Sequence, residues 1–374
     1  VTDPVIPTVD LDDIESSDPA AVQRAAVAIR EGFGTYGLVY VKHHGVDVAA
    51  LDRLYDEFIR YTARPESEKR KECRADIWFQ RGWTPPNTEQ AVASSAQPDF
   101  KECYFAAPIA SHTEMKLQYP EIHADNVWPA GGDGFREPYL EVGRQLHRAG
   151  LRLLLGAAAA LNVDKGELTQ CAEGGPHVFR LLRYLPLSAE QVGTKIVWGE
   201  EHTDFNLLTL LPGGRFLDPE GKRCAAPDTG SGLYLRTRSN AENPHGIKVK
   251  GVAPEGCIVA QVGQALEILT GGAFLATPHV ITAPKTPGYS RLSAAHFVHV
   301  HSHQILFPLS AFRTERAIRS YSPPVLAGTY AVKTLVDIHL APQDALAHLG
   351  YRHYDRLTQE RAGEERHRQH QAGS

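Results

Sequence analysis

From residue 177 to about residue 312 the chain is written as short β-rich runs cut apart by Gly and Pro: "VFRLLRYLP", "LLTLLP", "GLYLRT", "GIKVKGV", "CIVAQVG", "FLATPHVITA" and "RLSAAHFVHV". Such runs at close, regular spacing mark a β-sandwich or jelly roll, where two sheets face each other and bury one side apiece. This texture excludes an all-helical fold. It predicts a mainly β protein with flanking helices.

The helices fall outside that zone. "DPAAVQRAAVAIREGFGTYG" (18–37) begins with a capping residue, Asp18, and a first-turn proline, Pro19. Val22, Ala25, Ala26, Ile29 and Phe33 then form an apolar stripe at helical spacing. A second helix is expected over 47–65, with Leu51, Leu54, Tyr55, Phe58 and Ile59 on one side and Pro65 as its stop. A long one should run from Phe135 to about Leu161, and a late one over 323–341. The long stripe needs a partner surface, so one domain over 1–342 is the simpler organisation. It would comprise a helix-rich head (1–165), a jelly-roll core (177–312) and the late helix, with a polar C-terminal extension over 343–374.

Composition narrows the possible partners. The formal charge is −5, so no basic surface invites nucleic acid or anionic lipid. No apolar stretch approaches the roughly 18 to 20 residues that span a bilayer. The first residues, "VTDPVIPTVDLDDIESSD", are acidic and unlike a secretory signal, which makes a cytoplasmic location the expectation. Five dispersed cysteines without a CxxC pair argue for reduced thiols rather than a disulfide framework.

The chemistry gathers around "GEEHTDFNLLTLLPGG" (199–214). His202 and Asp204 stand two places apart at the head of an apolar run, and on a strand such residues share a face. His279, in "FLATPHVITAP", is a candidate third donor. Two histidines and one carboxylate are the facial set of non-haem Fe(II) oxygenases, although zinc accepts the same donors. Farther on, Arg291 and Ser293 form another i, i+2 pair, and a guanidinium beside a hydroxyl is a carboxylate receptor. "HFVHVHSHQ" sets His299, His301 and His303 at alternate positions. No carboxylate accompanies them and the strand should be ending there, so a packed or solvated strand end outweighs a second metal site.

Taken in order, "IPTVDL", "GLVYVKHHGV", "QRGWTPP", "PDFKECYF", "LLRYLP", "EEHTDFNLLTLL", "EGCIVAQVGQALEILTGGAFLATPHVITAP", "RLSAAHF" and "SPPVLAGTYAVKTL" resemble the isopenicillin-N-synthase-like branch of the Fe(II)/2-oxoglutarate-dependent oxygenases. The resemblance spans roughly residues 5 to 342. It implies a double-stranded β-helix (jelly-roll) core with an N-terminal helical wall, iron held by His202, Asp204 and His279, and a 2-oxoglutarate carboxylate at Arg291 and Ser293. Arg183 falls where relatives contact cosubstrate or substrate. Arg81, Trp83, Phe100 and Tyr104 lie in segments that line the substrate side in relatives, with buried packing as the competing role.

The implied reaction uses Fe(II), O2 and 2-oxoglutarate. It releases succinate and CO2 and hydroxylates, desaturates or cyclises a small molecule, as in natural-product biosynthesis. An oxidase of the same fold that needs no 2-oxoglutarate is the alternative, and a non-catalytic binding jelly roll the next. Two departures stand out. The run from Asp204 to His279 is longer than usual, through turn-rich "DPEGKRCAAPDTGS" and "RTRSNAENPHG", and Gln264 replaces the customary acidic residue. Substrate identity and oligomeric state are not encoded legibly.

Overall fold

A computed structural model describes residues 5–89, 99–194, 198–237 and 246–350. Four strands come from the first third of the chain: β1 (Thr8–Asp10), β2 (Leu38–Lys42), β3 (Gly82–Thr84) and β4 (Lys101–Ala106). Ten more follow: β5 (Val178–Tyr184), β6 (Gly199–His202), β7 (Leu208–Leu211), β8 (Arg215–Leu217), β9 (Arg223–Cys224), β10 (Gly232–Arg236), β11 (Lys248–Lys250), β12 (Cys257–Val262), β13 (His279–Thr282) and β14 (Ser290–Val298). One sheet runs β1-β2-β12-β7-β14-β5-β4-β3, with the β8–β9 hairpin joined to β14, and a smaller one runs β11-β10-β13-β6. These two layers are the jelly roll. The head is less purely helical than its sequence implies, because β1–β4 extend the larger sheet at both ends.

The helices form where capping and periodicity direct. Asp18 accepts the Ala20 N–H at 3.0 Å, and an α-helix runs Pro19–Glu31. It continues as a π-helical turn, Gly32–Tyr36, and stops at Gly37 with φ +75°. A side chain at Gly37 would place its Cβ 2.4 Å from the Leu275 carbonyl oxygen, so only glycine fits there. The long helix, Asp133–Leu161, ends on Asn162 in the left-handed conformation that asparagine tolerates. Its inner stripe, including Tyr139, Val142, Leu146, Ala149 and Leu153, is buried in one core with Leu210 of β7 and Val298 of β14. This helix thus backs the large sheet, and the other face of that sheet is left for the smaller one.

The late helix is shorter than its sequence stripe, Ala327–Asp337. A short strand, Val325–Leu326, takes up the residues after the prolines, where ring geometry disfavours helix. Of the turn-rich insertions, the first supplies β9 and the turn that joins it to β8, closed by the Gly221 N–H on the Asp218 carbonyl at 2.9 Å. Residues 238–245 of the second, and 351–374 of the C-terminal extension, lie outside the described residues. No described helix is long and apolar enough to cross a membrane.

Candidate active site

The link between β6 and β7 passes from the small sheet to the large one, and the site is built on that crossing. His202 is the last residue of β6, whereas Asp204 lies beyond the strand in the link. The shared-face reading of His202 and Asp204 is therefore corrected: they belong to a strand end and a turn, and Leu208–Leu211 to a strand of the opposite sheet. The link is held by backbone bonds from the Gln264 N–H to the Asp204 carbonyl (2.8 Å) and from the Leu207 N–H to the Val298 carbonyl (2.9 Å).

His279 arrives from β13, whose antiparallel register sets it directly opposite His202. The two rings lie 4.3 Å apart between centroids. Asp204 Oδ1 stands 3.8 Å from His202 Nε2 and 3.9 Å from His279 Nε2. His202 Nδ1 is 2.7 Å from the Glu200 carbonyl oxygen, which fixes the proton on that nitrogen and turns the Nε2 lone pair toward Asp204. Among the described residues the other convergence of three such donors is Asp10, Asp12 and His43, an open surface group in which Lys42 already pairs with Asp10 at 3.1 Å.

Electrostatics suit a cation. Burial, then the neighbouring His202, pushes His279 down to about 4, so at neutral pH its imidazole is uncharged and able to donate a lone pair. Burial alone would raise Asp204. The adjoining imidazoles and hydrogen bonds from Thr209 and Gln261 outweigh it and keep the carboxyl ionised.

Two cavities meet at this point. A larger one, about 980 Å³, is lined by His202, Asp204 and His279 together with Arg291, Ser293 and Tyr184. A second, about 540 Å³, shares His202 and Asp204 and extends under the helix Ala327–Asp337, past Phe105, Phe205, Phe297 and Leu335. Arg291 and Ser293 both face the larger cavity, as alternation along β14 requires. Arg291 is buried between the Tyr184 and Phe216 rings (guanidinium 5.6 and 6.0 Å from their centroids), and its Nη1 has no hydrogen-bond partner. Among the described residues no carboxylate pairs with it, and burial lowers its pKa. A buried guanidinium with a spare donor, in the cavity that holds three metal donors, is a place for an anionic group on a metal-bound molecule.

The remaining sequence candidates divide. Arg81 lines the second cavity, fully buried and spanning the Gln80 and Ile122 carbonyls (2.6 and 3.1 Å). Arg183 lines neither cavity. It reaches back to Thr62 Oγ1 at 2.9 Å and Glu102 at 3.5 Å, because Arg180, Leu182 and Tyr184 take the cavity face of β5. Trp83 donates to Glu102 at 2.9 Å behind the sheet, and Tyr104 donates to the Val127 carbonyl at 2.6 Å within an aromatic cluster. Phe100 sits at the head of β4, its carbonyl bonded to the Leu185 N–H, and lines neither cavity. Trp83 and Tyr104 are packing residues.

The register explains both the misses and what replaces them. Glu102 pairs with Arg183 and Lys101 with Tyr184, so Lys101 and Arg180 face the site where Phe100 and Arg183 were expected. Lys101 bonds to Asp99 and lies 3.1 Å from Glu89, and Arg180 bonds to Glu89 as well. Alternation along "FKECYF" carries that signal, but a strand containing two charged residues hides which parity faces inward. His299, His301 and His303 do not converge: β14 ends at Val298, His299 turns to Phe205 (5.1 Å between centroids), and His303 bonds to Gln118.

Comparison with known proteins agrees with this architecture. Residues 6–131 match the family described as non-haem dioxygenase in morphine synthesis N-terminal. Kihadalactone A synthase LFS of Citrus sinensis is 24% identical over 75% of this chain and 79% of its own length. The 2-oxoglutarate-dependent dioxygenase imqE of Aspergillus flavus is 25% identical over 83% of this chain and 88% of its own. A full-length Neurospora crassa protein solved with alpha-KG superposes with a TM-score of 0.71 at 21% identity, covering 90% of this chain and 98% of that one. These likenesses support a 2-oxoglutarate/iron(II) oxygenase.

Gln264, at the position where the resemblance leads one to expect an acidic residue, has a visible role. Gln264 donates to Thr203 Oγ1 at 2.5 Å and accepts from the Tyr330 hydroxyl, tying the Asp204 link to the helix that roofs the second cavity. A carboxylate there could accept from both hydroxyls but could not donate to either. The amide therefore makes Thr203 an acceptor, where an acid would require it to donate.

Proposed function

We propose that this oxygenase oxidises a small organic molecule in the 540 Å³ cavity while 2-oxoglutarate occupies the larger one. His202, Asp204 and His279 are the residues that would hold iron(II). Bound iron supplies the redox chemistry that couples reduction of O2 and decarboxylation of 2-oxoglutarate, to succinate and CO2, to oxidation of the substrate.

The protein's own part is placement. Arg291 and Ser293 receive the far carboxylate of the cosubstrate, and the spare Nη1 donor of Arg291 is the observation that carries this reading. Tyr184 and Phe216 flank the guanidinium and keep water from its faces. Phe105, Phe205, Phe297 and Leu335 give the second cavity an apolar body, while Lys101 and Arg180 give it a charged end beside His202 and Asp204. A cavity of that size suits a single small molecule, apolar along most of its length with a polar group at one end. The Citrus relative, by name a kihadalactone A synthase, supports a natural-product substrate.

The test is anaerobic loading of the apoprotein with Fe(II), followed by 2-oxoglutarate. The weak visible metal-to-ligand charge-transfer band is expected in the wild type, absent in His279→Ala and diminished in Arg291→Ala. Iron binding without the band would assign a cosubstrate-free oxidase. Failure to bind iron at all would refute the proposal.

A further inference from the structure

Asp204 carries two oxygens with different surroundings. Oδ1 faces both histidine Nε2 atoms, at 3.8 and 3.9 Å. Oδ2 accepts two hydrogen bonds, from Thr209 Oγ1 at 2.6 Å and from Gln261 Nε2 at 2.9 Å. These donors are not an accident of loop packing. Thr209 and Gln261 are direct cross-strand partners in the β7–β12 ladder, so their side chains rise together from the same face of the large sheet.

Both donors have a fixed direction. Asn206 Nδ2 donates to Thr209 Oγ1 at 3.0 Å and to the Leu208 carbonyl at 2.9 Å. With that lone pair taken, the hydroxyl hydrogen of Thr209 is directed at Asp204. An alternative contact, from Thr209 Oγ1 to Asn206 Oδ1, is longer at 3.4 Å. For Gln261, the flipped amide would set its oxygen against a carboxylate oxygen at 2.9 Å, so the nitrogen must face Asp204. The cost of that orientation is visible, since Gln261 Oε1 is buried without a partner.

Building on the iron site proposed above, we infer that Thr209 and Gln261, oriented in part by Asn206, are positioning residues that hold Asp204 as a one-oxygen ligand. Oδ2 cannot turn to chelate the metal without breaking both bonds. The carboxylate thereby takes a single coordination position, and the rest stay available for cosubstrate. The cross-strand pair also anchors the β6–β7 link to the large sheet, and Gln261 Nε2 lies 3.3 Å from His279 Nδ1 as well.

Anaerobic Co(II) titration, followed by visible ligand-field absorption, tests this on the intact chain. Thr209→Val and Gln261→Met keep the shape and drop the donor. Each is expected to weaken Co(II) binding by roughly 10- to 100-fold and to change the ligand-field spectrum, while Thr209→Ser restores both. Apoprotein melting is measured in parallel, and if Thr209→Val fails to fold, Gln261→Met carries the test alone. Variants that bind Co(II) as the wild type does, with the same spectrum, would overturn the inference and leave the iron site standing. A wild type that binds no Co(II), like His279→Ala, would overturn the iron site itself.

Discussion

Arg291→Met separates cosubstrate binding from fold stability in a way few other changes here can. Arg291 is 7% exposed, and among the described residues no acid pairs with it; it leaves Nη1 without a hydrogen-bond partner. A buried unsatisfied donor costs about 1–3 kcal/mol, and its removal is offset by losing two aromatic contacts worth about 0.5–1 kcal/mol each. The substituted apoprotein should therefore lie between about 1 kcal/mol below and about 2 kcal/mol above wild type in stability. For a chain of this size that keeps Tm within roughly 3 °C of wild type.

Binding should move the opposite way and much farther. If the cosubstrate carboxylate pairs with this guanidinium, truncation costs about 2–5 kcal/mol, or roughly 30-fold to several thousand-fold in Kd. Calorimetric titration of Mn(II)-loaded protein with 2-oxoglutarate reads the loss. Thermal shifts read it a second way, because the stabilisation by saturating ligand disappears. An apoprotein weakened by more than about 3 kcal/mol that still binds 2-oxoglutarate normally would refute the reasoning and make Arg291 a structural residue.

Arg183→Gln should leave 2-oxoglutarate affinity within about twofold of wild type, since Arg183 bonds to Thr62 and Glu102 behind the sheet; the same calorimetry checks it. Trp83→Phe strips the buried Glu102 of one donor and should cost about 1–3 kcal/mol in urea unfolding, with KM for 2-oxoglutarate unchanged. Acidification should destabilise the apoprotein. Burial pushes His123 and His147 down to about 4 and His299 to about 3, with His177 and His296 also well below the usual range. Between the ordinary histidine value near 6.5 and those folded values, the unfolded chain binds more protons, so stability falls as pH drops through that window. Each histidine contributes at most about 1.4 kcal/mol per pH unit, and urea midpoints at pH 7 and pH 5 should differ accordingly. Equal midpoints would show that these histidines take up protons in the fold as readily as in the unfolded chain.

What the sequence made legible was local. Strand runs, helix caps at Asp18, and the Arg291–Ser293 face follow from spacing and propensity, and the structure keeps them. The i, i+2 argument picks out His202 and Asp204, which the structure does bring close together, but not on one strand face, because β6 stops at His202. Strand ends are set by which sheet the next residues join, and nothing in "HTDFNLL" records the change of sheet. The same limit applies to "FKECYF" and "LLRYLP". Their alternation is plain, yet which parity meets the cavity depends on the pairing of Lys101 with Tyr184, a contact between strands far apart in sequence. Arg183 and Phe100 line neither cavity, and Lys101 and Arg180 line both.

The crossing of the sheets also accounts for the division of labour around the site. A jelly roll brings two layers together but leaves each to be fixed by its own ladder, and here the small sheet fixes His202 against His279 through direct register. The large sheet fixes Asp204 through Thr209 and Gln261, the cosubstrate receptor through Arg291 and Ser293, and the charged end of the second cavity through Lys101 and Arg180. A metal bound to both histidines and the carboxylate would therefore tie one sheet to the other at the open edge of the roll. On that argument metal binding should stabilise the fold as well as enable turnover. Removing the metal with a chelator should lower Tm and loosen hydrogen-exchange protection of β6 and β13 more than that of β7 and β12, whose ladders lie within the large sheet. Unchanged Tm and unchanged protection in all four strands would mean instead that the metal adds nothing to the contact between the sheets.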